Sequence, residues 1–197
     1  AALYRVIGRC NFYLDKVGEL RASLTDDEEI KYLDFYTGEV YCARALAYSE
    51  LIKCFCKAYD PATAKDELGV VLADTYFGEK PAERASLYDS YQFVLSDLER
   101  AEQMLDEDND YYNAEYFTNA AAHAIHARVA LYMQDWDAAI EHSGKLIDSG
   151  KFELATAKSY YTSNQTYLDY LWTNDSSFEN IWRIGYTVTS YGSAQGS

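Results

Sequence analysis

Apolar residues recur at helical spacing along most of the chain, and the clearest case lies between residues 120 and 154. This segment predicts one helix, a turn at Gln134-Asp135 and a second helix that ends at Gly150. Small residues stand where two helices must approach closely: Ala120, Ala124, Ala127, Ala138 and Ala139. Larger residues are expected to fill the gaps between them: Val129, Leu131, Trp136, Ile140 and Ile147. The pattern is typical of a tetratricopeptide-like hairpin, which buries its apolar face by stacking on neighbouring helices.

Three more helices are predicted before this hairpin. The first begins the chain, and its apolar stripe consists of Leu3, Val6, Ile7, Cys10, Tyr13, Leu14 and Val17. The second is expected from about residue 26 to residue 59, with a candidate break near Gly38, because acidic residues suit its start and Pro61 disfavours helix in the residue before it. The third covers about residues 87–105, and its buried face consists of Tyr91, Val94, Leu95, Leu98, Ala101 and Leu105.

The remaining segments are expected to be irregular. A loop over residues 61–85 contains the apolar run 69–72, which predicts a short strand or an extended plug into the core. Residues 151–197 form an aromatic-rich segment with a short strand near 180–185. The predicted fold class is therefore mainly all-α: tetratricopeptide-like stacked helical hairpins over residues 1–150, with long loops and one or two short strands.

The acidic linker after the third helix matches only part of the calcium-binding loop pattern. Asp106, Asp108 and Asp110 show the required alternation of carboxylates. Tyr111, however, stands where the loop needs a glycine, and Phe117 where it needs a bidentate glutamate. A solvated acidic turn is the better interpretation.

Charge narrows the range of partners. The 197 residues carry 17 basic and 32 acidic side chains, a net charge of −15, which argues against nucleic acid because phosphate binding needs a basic surface. No uncharged apolar stretch is long enough to span a membrane as a helix. The chain begins inside a predicted helix, with neither an initiator methionine nor a signal-peptide core, and we expect it to be a fragment or a trimmed chain.

No metal or cofactor site is predicted. Cys54 and Cys56 lie two residues apart on a helix and point in different directions, and no second cysteine pair completes a zinc set. His123, His126 and His142 are spread over two helices, where ordinary packing or surface positions are expected. We therefore predict no metal ligands and no cofactor.

Five motifs, taken in order, resemble the SusD/RagB family. Residues 39–48, with Glu39 and the run ARALAY, are similar to the family's "E-xxx-RALAY" helix. Residues 53–72 resemble its "LVRLFG…LGVPL" passage, and Arg84 with Tyr91, Asp97, Leu98 and Ala101 resembles "R-(S/T)-V-xx-VY-xx-I-xx-DL-xxA". Residues 121–139 resemble "AAxALLARVYLYxGDWxxA", and residues 179–182 resemble the "EVIF" strand.

The resemblance implies a function. SusD/RagB proteins are lipid-anchored on the extracellular face of the outer membrane, where they bind nutrients, commonly glycans, for a TonB-dependent, SusC-like transporter. It implies that this chain is the N-terminal helical half of such a protein, one incomplete domain over residues 1–197, which binds an oligosaccharide or a peptide. Contact with the membrane would come only through an N-terminal lipid anchor that this sequence lacks. Val71 departs from the family's usual proline, and Cys54 and Cys56 from its usual aliphatic residue and glycine.

An enzyme is not expected, because the chain shows no GxSxG, no HExxH and no glycine-rich phosphate loop. No residue is therefore assigned a catalytic role. Two alternatives stay open: a helical-repeat adaptor that binds a peptide or protein in a groove, and a helical toroid glycosidase, since such enzymes are also rich in aromatic and acidic residues.

Aromatic and amide residues in loops are the candidate ligand contacts. Aromatic rings can stack on the apolar face of a sugar, while its hydroxyls need hydrogen-bond partners. The family's ligand site is built partly from loops between the helices, which favours the loop of residues 73–84. The candidates are Asp74, Tyr76, Phe77, Asn109, Tyr111, Tyr112 and Asn113. Tyr48, Tyr91 and Tyr132 lie at helical spacing, where core packing is expected.

Three arginines are expected to have structural partners. Arg44 lies in an apolar helix face, and a buried guanidinium needs an acid or backbone carbonyls. Asp97 is a candidate partner, and so is the C-terminus of a helix. The same interpretation applies to Arg84 and Arg128.

Overall fold

The computed structural model describes residues 2–79, 83–156, 158–174 and 177–185. Its helices are α1 (Ala2–Ser23), α2 (Asp27–Phe55), α3 (Leu87–Met104), α4 (Asn119–Met133), α5 (Trp136–Asp148) and α6 (Tyr167–Asn174), and a short 3-10 turn covers Glu107–Asn109. Strands β1 (Tyr160–Thr162) and β2 (Gln165–Thr166) pair antiparallel just before α6. The predicted fold class, mainly helical with one or two short strands, is confirmed.

The first five helices stack in chain order, each against the next. A short polar side chain accepts backbone hydrogen bonds at the start of four of them, as the sequence of each N-cap allows. These capping residues are Asp26, Ser86, Thr118 and Asp135. The core lies between α2, α3 and α4, where Cys42, Val94 and Ala122 have no exposed surface, and Ile7 of α1 closes it from one side. In the described ranges no helix combines the length and apolarity needed to cross a membrane.

Helix α2 differs from its prediction in two ways. It ends at Phe55 instead of residue 59, because the chain turns extended at Cys56 and carries Tyr59 into the core, with its ring centroid 5.1 Å from that of Tyr91. It also runs through Gly38 without a break. A Cβ on Gly38 would lie 2.9 Å from Cγ of Leu105, so the glycine serves the close approach of the end of α3.

The apolar face of the predicted hairpin is only partly buried. Val129 is buried as expected, but four side chains that we expected between the helices are 54–75% exposed: Leu131, Trp136, Ile140 and Ile147. Helix α5 packs on α4 and on no other described helix, so none of the described helices covers its opposite side. Tyr132 is also 48% exposed, contrary to the core position predicted for it, whereas Tyr48 and Tyr91 are buried.

The predicted run of residues 69–72 is extended, the second of the two predicted forms, and together with residues 67 and 68 it forms the plug. Val70 is buried, and a single antiparallel bridge joins Leu68 to Ser86. The Gly69 N–H donates to the carbonyl of Ala85 at 2.8 Å, and the Ala85 N–H donates to that of Val70 at 2.9 Å. These two hydrogen bonds fix the loop against the residues that precede α3.

The strand expected near residues 180–185 is reduced to one parallel bridge between Ala114 and Trp182. The Trp182 ring stacks on that of Phe117, with centroids 4.7 Å apart. After residue 150, the regular elements that the structure describes are β1, β2 and α6. The sequence pattern did not predict them. Residues 177–183 thus return to the linker that precedes α4.

Candidate functional site

A groove of about 680 Å³ lies between the first half of α2 and the linker that joins α3 to α4. That volume is within the usual range of small-molecule sites. We call it the tyrosine groove, and it is lined by Glu28, Lys31, Tyr32, Phe35, Tyr36, Met104, Asp106, Asp108, Asn109, Asp110, Tyr111, Tyr116 and Thr118.

Four tyrosines give the groove its character. Tyr32 and Tyr36 lie four residues apart on α2 and therefore project from the same side of the helix. Tyr111 and Tyr116 come from the linker. Their side chains are 63%, 54%, 47% and 66% exposed, respectively. Each ring thus offers an apolar face and a hydroxyl to a ligand, a combination that suits a sugar ring.

Two aspartates in the groove have pKa values shifted in opposite directions. A backbone hydrogen bond from Asp108, helped by Lys31, lowers the pKa of Asp106. Burial raises the pKa of Asp110 and outweighs the hydrogen bond from the Ala120 N–H, which lowers it. Diverging pKa values can mark an acid–base pair. Here both carboxylates have structural roles, because Asp106 caps the 3-10 turn and Asp110 accepts from the first turn of α4.

The structure places the predicted contacts of residues 109–113 in different surroundings. Asn109 and Tyr111 line the tyrosine groove. Tyr112 lines a neighbouring cavity, of about 420 Å³, with Tyr167 and Phe178. Asn113 adopts a left-handed backbone with φ of 57°, its N–H donates to the carbonyl of Asn180, and its side chain accepts from the Ser177 N–H. It therefore anchors the segment after α6.

The predicted contacts Tyr76 and Phe77 pack against α1. One carboxylate oxygen of Asp15 accepts from the hydroxyl of Thr75 and from the N–H groups of Tyr76 and Phe77, at 2.8 to 3.1 Å. Both rings pack against Phe12, with centroids 5.3 and 5.6 Å from it. They remain 45% and 60% exposed, which gives a second aromatic surface.

Asp74, the remaining predicted contact of the 73–84 loop, directs its backbone carbonyl to the buried Arg44. Its carbonyl accepts from Arg44, and its residue lines a cavity of about 290 Å³ with Asp15 and Arg100. Among the described residues, none of these three cavities is lined both by a predicted contact from residues 74–77 and by one from residues 109–113.

Sequence reasoning missed the α2 half of the groove. Tyr32 and Tyr36 lie outside the apolar stripe assigned to that helix, and their i, i+4 spacing on its polar side was the available signal. Tyr116, in the same linker as Tyr111, is likewise absent from the predicted contacts. Which of these positions touch a ligand stays a prediction.

The arginines have the structural partners that were expected. Arg44 forms two hydrogen bonds with the carboxylate of Asp97, at 2.7 and 2.8 Å, and both side chains are almost fully buried. Its remaining amino group donates to the side chain of Asn11 on α1. Arg84 donates to the carbonyl of Phe55 at the end of α2, as well as to two carbonyls of the plug. Arg128 lies 3.4 Å from Glu50 as an ion pair, although its buried Nε and Nη2 atoms form no hydrogen bond with a described residue.

The three histidines are not spread apart but converge. His123 and His126 on α4 and His142 on α5 are all buried, and each Nδ1 atom lies near one carboxylate oxygen of Glu102 on α3. In the described part of the chain, Glu102, His126 and His142 are the group whose ligand atoms lie close enough together to share a metal ion.

Stacked helical hairpins that carry an open aromatic groove define a class of helical ligand-binding scaffold. Residues 1–131 match the SusD-like family described as starch-binding and associating with the outer membrane. Because this match covers more than half of the chain, the chain belongs to the SusD-like family.

Individual relatives agree. The chain is 29% identical over 159 residues to a SusD-like protein of Formosa agariphila, a match that covers 80% of this chain and 27% of the relative. A SusD superfamily structure from Bacteroides thetaiotaomicron is 22% identical, with a TM-score of 0.77 over 96% of this chain and 39% of its own. Surface glycan-binding protein A from Bacteroides fluxus is 20% identical, with a TM-score of 0.59 over 89% and 33%. The chain therefore spans less than half the length of these relatives, and the two structures establish the shared fold alone.

Proposed function

We propose that this chain belongs to a surface-exposed protein that binds an oligosaccharide and hands it, chemically unchanged, to a TonB-dependent, SusC-like transporter of the outer membrane. In this proposal the stacked helices are the rigid scaffold, and the tyrosine groove is the ligand site. The single observation that carries the proposal is the groove itself, with four exposed tyrosine rings over about 680 Å³.

The chemistry of the groove supports a sugar. A pyranose ring has an apolar face, which the rings of Tyr32, Tyr36 and Tyr116 can cover, and hydroxyls, which the carboxylate of Asp108 and the amide of Asn109 can bind. An acidic surface also suits a neutral ligand better than an anionic one, and the net charge is −15. The same ligand class is supported by the family, which is described as starch-binding, and by the surface glycan-binding protein of Bacteroides fluxus.

Location and partner are part of the proposal. The family description places its members at the outer membrane, which supports the extracellular face and a lipid anchor for the complete protein. Recovery of a large β-barrel transporter with the complete protein, after mild solubilisation, tests the partner.

Replacing Tyr36 or Tyr116 with alanine is expected to weaken oligosaccharide binding by about two- to tenfold each, because each removes one stacking surface worth roughly 0.5–1.5 kcal/mol. Isothermal titration of the full chain against α-glucan and β-glucan oligosaccharides and a peptide panel measures the loss. Tyr160→Ala is the matched control, because Tyr160 is 62% exposed but lies outside the groove.

Three outcomes decide the proposal. Glycan binding that falls in the groove variants and persists in Tyr160→Ala supports it. Binding of a peptide alone favours the adaptor, and release of shorter sugars that stops in Asp110→Asn favours the glycosidase, since Asp106 and Asp110 show diverging pKa values. Glycan binding that is unchanged in both tyrosine variants would remove the groove from the proposal.

A further inference from the structure

A buried cluster of three imidazoles and one carboxylate joins three helices. His126 Nδ1 lies 2.8 Å from Oε1 of Glu102, His123 Nδ1 lies 3.2 Å from it and His142 Nδ1 lies 3.4 Å from it. The Nδ1 atoms of His123 and His142 are 2.9 Å apart. The three histidines are 6–7% exposed, and Glu102 contributes from α3 while the others come from α4 and α5.

Hydrogen bonds can pair these atoms without an ion. His126 Nδ1 donates to Glu102, and of the Nδ1 atoms of His123 and His142, 2.9 Å apart, one donates to the other. Three ring nitrogens nevertheless converge on one carboxylate oxygen and lie within 3.4 Å of it. A cation could bind all of these lone pairs at once, whereas a proton serves only one pair of atoms.

The distances fit a transition-metal ion. Zinc binds histidine nitrogen and carboxylate oxygen at about 2.0–2.2 Å, so two ligand atoms of a tetrahedral site lie about 3.3 Å apart. The four contacts in the cluster, 2.8, 2.9, 3.2 and 3.4 Å, are close to that edge length. One donor atom each from Glu102, His126 and His142 lies within 4.8 Å of the other two. Two histidines and one glutamate form a recurrent zinc ligand set.

We propose that Glu102, His126 and His142, with His123 as fourth ligand, form a structural binding site for a divalent transition-metal ion, Zn²⁺ first among them. The ion would join α3, α4 and α5 within the helical stack. None of its four ligands lines the tyrosine groove. The rings of His126 and His142 are stacked with centroids 3.6 Å apart, and one of them must rotate for both nitrogens to face the same ion. Soft or borderline ions are favoured, because hard Ca²⁺ and Mg²⁺ prefer sites built of oxygen.

The test uses the full chain with no polyhistidine tag, since its only three histidines all lie in the cluster. After treatment with a chelator, Zn²⁺ is titrated calorimetrically and thermal unfolding is followed by circular dichroism. We expect one ion per chain, a Kd tighter than about 1 µM and, at a hundredfold excess of free ion over that Kd, a rise in Tm of about 5–10 °C. Ca²⁺ and Mg²⁺ should give neither effect.

Two variants and one control locate the site. His142→Ala and Glu102→Gln are expected to weaken Zn²⁺ binding at least a hundredfold, whereas Glu141→Gln, which changes an exposed carboxylate beside His142, should leave it unchanged. If a cluster variant fails to fold, Co²⁺ added to the unaltered chain decides, because imidazole ligation gives intense visible absorption and shifts the histidine ring resonances. A Zn²⁺ Kd weaker than about 100 µM, or equal binding by His142→Ala, overturns the proposal.

Discussion

Asp97→Ala is expected to lower the free energy of unfolding by about 3–5 kcal/mol, the largest loss we predict for any single substitution. The variant leaves the guanidinium of Arg44 buried without a carboxylate, hydrogen-bonded to Asn11 and the carbonyl of Asp74 and lying over the rings of Tyr41 and Phe93. Arg44 is only 3% exposed, so water cannot replace the lost carboxylate. Urea denaturation followed by circular dichroism measures the change.

The double variant Arg44→Met/Asp97→Leu is the informative comparison. Removing both charges together avoids a buried, unpaired ion, and we expect most of the lost stability to return. Arg21→Ala supplies a matched control, since Arg21 also makes two hydrogen bonds to one carboxylate, that of Asp34, but lies at the surface. Its removal should change stability little. Equal losses in Asp97→Ala and Arg21→Ala would contradict the role assigned to burial.

Gly69→Ala is expected to cost about 3 kcal/mol of folding stability, because the added methyl group overpacks the plug. Its Cβ would meet the carbonyl oxygen of Ser86 at 2.3 Å and crowd the hydroxyl of Ser90 still more closely. The Ser86 carbonyl belongs to the backbone that begins α3 and accepts the Ser90 N–H, so it cannot move aside without breaking the helix start. The midpoint of urea unfolding reports the loss.

Gly18→Ala separates this steric effect from the general effect of removing a glycine. Gly18 lies in α1, and nothing stands within 4 Å of a Cβ built there. Alanine should therefore stabilise the helix by up to about 1 kcal/mol. If both variants shifted the midpoint in the same direction, the clash at Gly69 would be absent.

The helices were predictable because each depends on nearby residues. The i, i+3 and i, i+4 spacing of Tyr91, Val94, Leu98 and Ala101 predicts α3, and all four side chains are buried. The end of α2 was not predictable in the same way. Tyr59 leaves the helix because a core position beside Tyr91 is available to it, and that position exists only after α3 has packed.

The candidate sites depend still more on tertiary contact. Asn109 and Tyr111 were predicted from their place in an irregular linker, but the facing Tyr32 and Tyr36 lie on a helix, 73 or more residues earlier in the chain. The histidine cluster shows the same limit. His123 and His126 have the i, i+3 spacing that puts two rings on one face, whereas the positions of His142 and Glu102 depend on how α5 and α3 pack against α4.

The turn held by Asp15 has a consequence for recognition at Tyr76 and Phe77. Three donors converge on one oxygen of this side chain, so the backbone beneath both rings is ordered before any guest arrives. A guest that docks there loses little affinity to freezing of the loop. Its association should then proceed at a rate set by diffusion and orientation, with no slow rearrangement step visible in stopped-flow traces.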